Sequence, residues 1–194
     1  DVCSSDLSVR PDSKRFAVVT REQLDAEGQA VWDDRIKQVG NVPTGHFNVM
    51  MHAPELSNRV AKLESYFRFD ATMSKKEREF VTLCVIREGE ARFGWGRHEP
   101  RAKELGVAPE VIDLIRNKAP LASFPEEYKL YVEFARSVAG TRKPLPEDLL
   151  NRAKAAWGDR KLIEMIALCA HYTLVGVLIN GYAVEPRPGD GVTF

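Results

Sequence analysis

Apolar residues return along the chain at three- and four-residue steps, the period of helices buried on one side, and strand-type alternation persists nowhere. Thr20-Arg21-Glu22-Gln23 has the form of a capping box. It predicts a helix to about Val39, with Leu24, Val31, Ile36 and Val39 apolar; Gly40 and Pro43 end it, and Gly45 opens a loop. His46 to Met51 reads as a short apolar turn. A helix then starts at His52-Ala53-Pro54-Glu55-Leu56, with Pro in its first turn, and carries Val60, Leu63 and Phe67 toward Phe69. Ser74-Lys75-Lys76-Glu77 is a second capping box, opening a helix with Phe80, Val81, Leu83, Cys84 and Val85 that Gly89 breaks.

The next helix is predicted to run to Leu105 and stop at Gly106. Pro109 starts a short one containing Val111, Ile112, Leu114 and Ile115. Ser123-Phe124-Pro125-Glu126 caps another, with Tyr128, Tyr131, Val132, Phe134, Ala135 and Val138 as its stripe and Gly140 as its end. Pro144 and Pro146 lead into a helix closed at Trp157 by Gly158. Asp159 caps the last, which is apolar nearly all round from Leu162 to Leu178 and is expected to be the central, most buried helix. Arg87, Glu88, Glu90 and Arg92 read as a solvated charged face, and Pro186 to Gly191 as an extended, exposed tail. These elements describe an all-α, single-domain helical bundle: an arm over 1–18, a helical domain over 19–188 and a tail over 189–194.

Charge narrows the partners. With 28 basic and 28 acidic residues the chain is formally neutral, so it lacks the electrostatic footprint expected of a nucleic-acid or anionic-membrane binder. A small molecule is the expected partner. The stretch from Leu162 to Ala183 is the most apolar, but Glu164, His171, Asn180 and two glycines interrupt it, and it reads as a buried helix rather than a membrane span of ~20 residues. Cys3, Cys84 and Cys169 show no pair or zinc spacing. Cys84 and Cys169 read as small buried hydrophobes, with a distant redox pair as the alternative. The chain begins without Met, and Asp1-Val2-Cys3-Ser4-Ser5-Asp6-Leu7 reads as sequencing-adapter read-through, so the native start is expected to be missing. A cytoplasmic location is expected.

Candidate chemistry concentrates between Ser74 and Gly106. On a helix Ala91, Gly94, Trp95 and His98 recur at i, i+3, i+4 and i+7 and share a face. Two small residues, an aromatic wall and a titratable group leave room for a ligand, where a face built for packing would carry Leu or Ile. Glu79, in the first two turns of the preceding helix, is either a helix-start acid or a partner for His98. Together they can form an acid–base pair, the carboxylate orienting the imidazole and setting its pKa. Arg97 points about 100° from His98 and anchors a carboxylate only if a neighbouring segment or subunit closes over it. Asn48 and His52 lie at a helix mouth, where they face a pocket or merely cap and pack. His171, in the last helix, is a satisfied core histidine or a pocket wall.

This segment resembles the core of the carboxymuconolactone decarboxylase family, which includes the AhpD-like alkylhydroperoxidases. Glu79 matches the family's proton-relay Glu and His98 its active-site His. Ala91 and Gly94 fall where the peroxidase branch has its two cysteines, and Phe93-Gly94-Trp95 where the cysteine-free branch usually reads Tyr-Glu-Trp. Ala102 and Gly106 match the tail of the pattern, and the likeness extends loosely from about Val19 to Pro188. The resemblance implies a homo-oligomer, trimer or hexamer. It also implies a cofactor-independent lyase that removes CO2 from a small carboxylated or lactone compound and reprotonates the product. His98 would be the proton donor, Glu79 its partner, and Trp95, Gly94, Ala91, Phe93, Arg97, His52, Asn48 and His171 the pocket. The dithiol peroxidase route needs a thiol that Ala91 and Gly94 do not supply. Gly94 also removes the acid usual beside Trp95, so either another group, such as His52 or His171, replaces it or the substrate does not need it. Two alternatives stay open: a relative without the C-x-x-C pair that binds small ligands as an oligomer, and a metal site built from Glu79 and His46, His52, His98 and His171. No local spacing supports the metal site, and none is expected.

Overall fold

The computed structural model describes residues 13–141 and 143–194, so Cys3 and the adapter-like segment lie outside the described residues, with most of the proposed arm. The described residues contain eight α-helices and no strand beyond one isolated bridge between Ser13 and Val184. The all-α expectation holds.

The capping box at Thr20 is present, but it closes only a three-residue 3-10 turn, Arg21–Gln23. Helix α1 (Ala26–Val39) takes its own cap from Asp25, whose carboxylate accepts the Gly28 N–H at 2.8 Å. Gly40 ends α1 in the left-handed region at φ 76°. The segment expected to be an apolar turn forms α2 (His46–Met50). It follows Gly45, at φ 60°, where a Cβ would lie 2.4 Å from the Phe93 ring, so only glycine lets this corner close over Phe93. Helix α3 (Pro54–Phe69) buries Ser57, Val60, Ala61, Glu64 and Phe67, a helical stripe with one carboxylate in it.

Helix α4 (Lys75–Glu88) starts on the second capping box: Ser74 Oγ accepts the Glu77 N–H at 3.2 Å, and Glu77 returns the contact to the Ser74 N–H at 2.8 Å. Every residue from Glu79 to Ile86 is buried, so α4 lies at the centre of the bundle. Arg87 and Glu88, at its end, are not a solvated face. Arg87 Nε donates to the Arg116 carbonyl at 2.6 Å, and Glu88 faces Arg136 and Lys118. Helix α5 (Arg92–Glu104) follows Ala91 and packs along α4, α6 (Pro109–Arg116) also contacts α4, and α7 (Glu126–Ala135) runs on into a π-helical turn, Arg136–Thr141.

The long helix α8 (Glu147–Gly181) is interrupted at Gly158, whose φ of 72° and ψ of 168° are not helical, as the sequence leads one to expect. By length and composition α8 could cross a membrane, but more than half of its apolar window is buried inside the bundle. It is not buried all round, however. Ile163, Leu174 and Val177 are 66 %, 44 % and 56 % exposed, which gives the central place to α4 instead. The tail is also partly docked: Phe194 stands edge-on to Trp95 at 5.1 Å and lies under the Arg87 guanidinium at 4.3 Å.

Candidate active site

Glu79 projects from the second turn of α4 toward α5, where its Oε2 meets His98 Nδ1 at 2.7 Å. Arg78 holds the other oxygen, Oε1, at 3.0 Å. Glu79 is 3 % exposed and His98 8 %. Burial alone would push the Glu79 carboxyl up, but the hydrogen bonds and charges of His98 and Arg78 outweigh it and hold the group at about 2. The carboxylate is therefore ionised at neutral pH and accepts from Nδ1–H, which leaves Nε2 of His98 to take or give a proton. The Tyr172 ring stands edge-on to the imidazole at 5.1 Å and fixes its plane.

His98 opens on a cavity of about 340 Å³, within the range of small-molecule sites. Beyond the α4, α5 and α8 walls expected from sequence, α1, α2 and α3 contribute. Four arginines line it: Arg35, Arg68, Arg97 and Arg101. Glu64, from the buried stripe of α3, is the one carboxylate among the lining residues; it pairs with Arg35 at 3.4 Å and with Arg68. Burial would raise the Glu64 carboxyl, but Arg68 and Arg35 keep it below its usual range. The surplus of positive charge favours an anionic occupant. Ala91, Gly94 and Gly176 leave the floor open; a Cβ on Gly94 would reach 3.2 Å from Ile86.

Of the residues singled out from sequence, Ala91, Phe93, Gly94, Arg97, His98 and His171 line this cavity, with Glu79 behind His98. Three do not. Trp95 is fully buried on the other side of α5, its Nε1 donating to Glu99 at 2.5 Å. The cavity face of α5 is the arc from Phe93 through Arg97, Arg101 and Gly94 to His98, and at 100° per residue Trp95 falls outside it. Arg97 and His98 both reach the cavity because both fall within that arc. Asn48 clamps the backbone of Val19 instead, donating to its carbonyl at 2.8 Å and accepting its N–H at 3.1 Å, so both ends of its amide are engaged away from the cavity. His52 is exposed and contacts the Ala17 carbonyl at 3.1 Å. His52 therefore does not stand in for the acid missing at Gly94, whereas His171 does line the cavity.

Sequence inspection missed Arg35, Glu64, Arg68, Arg101, Tyr172 and the pocket role of His46. Glu64 was detectable: Ser57, Val60, Ala61, Glu64 and Phe67 follow the helical repeat, and a carboxylate on that stripe needs a buried partner. The metal alternative finds no ligand set, since among the described residues no three His, Cys, Asp or Glu side chains are placed to hold one metal ion. Cys84 and Cys169 are buried free thiols, Cys84 pushed up by burial and Cys169 pushed up to about 12, so neither offers a ready thiolate.

Glu77 and Glu164 are also held at about 2, where hydrogen bonds outweigh the effect of burial. Lys161 and Tyr131 each reach Glu77 at 2.5 Å, while Thr72, Tyr66 and Arg160 surround Glu164. A depressed carboxyl adds stability that is complete above its unfolded value near 4.5 and disappears as pH falls through its folded value. Melting temperatures measured across pH are therefore expected to decline first below about 6.5, where the unfolded chain protonates His46 and His171 that burial holds at about 4, and then to fall steeply from about 4.5 toward 2 as these carboxyls lose their pairs. A melting temperature that still holds level at pH 2 would contradict these three pairings.

No family model and no curated protein matches the sequence. Solved structures do match the fold. The AhpD-core crystal structure of an uncharacterized peroxidase-related protein from Ralstonia eutropha JMP134 superposes with a TM-score of 0.74 at 18 % identity, covering 94 % of this chain and 96 % of that one. An uncharacterized peroxidase-related protein from Silicibacter sp. TM1040 gives 0.70 at 15 % identity, covering 92 % and 94 %. At such identities the likeness is one of architecture: the chain has the AhpD-like all-α fold, the fold shared with carboxymuconolactone decarboxylase.

Proposed function

We propose that the chain is an acid–base enzyme, a cofactor-independent lyase acting on a small carboxylated or lactone compound. The observation that carries this is the buried Glu79–His98 pair at 2.7 Å, opening on an arginine-rich cavity. In the reaction the bond to the leaving carboxylate breaks, its electron pair moves into the conjugated carbonyl, and CO2 departs. His98 Nε2 then gives a proton to the carbon and regains one from water. Glu79 holds the imidazole in one orientation and stabilises its protonated form. Arg101 draws the anionic group toward the cavity. A dithiol route is disfavoured because Ala91 and Gly94 carry no sulfur.

CO2 release from 4-carboxymuconolactone by the purified chain tests this reading. Release supports it; binding without release would favour a small-ligand-binding protein.

The homo-oligomer implied by resemblance is supported by the bare face of α8. Ile163, Ala170, Leu174 and Val177 are exposed at steps of seven, four and three, the spacing of a helix seam that meets another copy of itself. Val177→Glu is expected to shift the chain to smaller species in light scattering, with its helical circular dichroism kept. A wild-type chain that is monomeric would end this part of the proposal.

A further inference from the structure

The acid–base step uses one histidine, yet three line the cavity. His171 is 2 % exposed, its ring 5.5 Å from Phe67 and 5.1 Å from Tyr172. Its Nδ1 is sealed in the protein with no hydrogen-bond partner, and the same is true of Nδ1 of His46 on α2. A buried polar atom without a partner is unfavourable, and a leucine would fill the space without that penalty. Packing therefore accounts for neither histidine.

Burial pushes both imidazoles down to about 4, so both are neutral at pH 7. A neutral imidazole has one N–H and one lone pair. With Nδ1 shut away, Nε2 is the nitrogen left to meet an occupant of the cavity. Two neutral donors suit an uncharged oxygen that gains charge during a reaction, whereas the arginines suit a carboxylate already charged.

We propose that His171 and His46 form a carbonyl-oxygen subsite, so that the cavity takes a carboxylate bearing a carbonyl group. The catalytic side of this role rests on the lyase reading: the two Nε2–H groups would hold the carbonyl oxygen while it is negative, between loss of CO2 and protonation by His98. The subsite itself does not depend on turnover.

Calorimetric titration with adipate and 2-oxoadipate isolates it, because these acids share length and charge and differ by one carbonyl oxygen. The wild-type chain is expected to bind 2-oxoadipate roughly tenfold more tightly, the equivalent of one well-placed hydrogen bond. His171→Leu and His46→Leu should each cut that preference severalfold while leaving adipate affinity nearly unchanged and the melting temperature equal or higher. If a leucine variant does not fold, phenylalanine preserves the shape of the ring without its nitrogens. Equal binding of the two acids by the wild-type chain, binding of neither, or a preference that survives in both variants overturns the subsite. Loss of the subsite with CO2 release intact would leave the lyase standing. A preserved preference with no release of CO2 would remove the lyase and keep the subsite.

Discussion

His98→Gln is expected to lower CO2 release by about 100- to 10,000-fold, the usual contribution of a positioned acid–base group. The same substitution should leave the fold nearly intact. Glutamine can still donate an N–H toward Glu79, and Arg78 still holds the other carboxylate oxygen at 3.0 Å. What it cannot do is exchange a proton at the position of Nε2. Initial rates and thermal melts on the same preparation separate the two effects. Full activity in the variant would move the proton transfer to another group. A large fall in melting temperature would instead identify His98 as a core histidine whose contact with Glu79 serves stability.

Glu79→Leu should show the opposite balance, with stability and activity lost together. The substitution strands the Arg78 guanidinium and the Nδ1–H of His98, each with only about a tenth of its side chain exposed. Removing one partner of a buried ion pair costs about 3–5 kcal/mol, because the remaining charge stays out of water. In a chain of this size that corresponds to a fall in melting temperature on the order of 10 °C. Activity should fall as well, since no carboxylate then selects the tautomer of the imidazole or stabilises its protonated form. Glu79→Gln should be milder, as its amide oxygen can still accept one of the two contacts. A Glu79→Leu protein that melts like wild type would show that the pair contributes nothing to the fold.

Local rules carried the secondary structure far. The second capping box, the left-handed Gly40, the break at Gly158 and the proline starts at Pro54 and Pro109 act over one helical turn, so residue identity alone reveals them. They failed where two local signals compete. Thr20 and Asp25 both suit a helix start, and the chain uses one for a 3-10 turn and the other for α1. The last helix also misled: an almost uniformly apolar sequence reads as buried on all sides, yet part of that surface is bare in the single chain.

Glu79 and His98 were legible as candidates because a carboxylate and an imidazole among apolar neighbours require a partner. That they partner each other, 19 positions apart, depends on how α4 and α5 cross. The sequence by itself determined that the chain is all helical, where most helices begin and end, that no thiol stands at 91 or 94, and which polar residues had to be satisfied inside. Only the tertiary structure decided which arc of α5 faces the cavity, turning Trp95 away and bringing Arg97 and Arg101 in. It alone joined Arg35, Glu64, Arg68, His46 and His171 from α1, α2, α3 and α8 into one polar wall, and it gave Asn48 and His52 to the N-terminal segment. The physical reason is that helical periodicity sets the angles between residues on one helix, while the direction each face points is set by packing against helices distant in sequence.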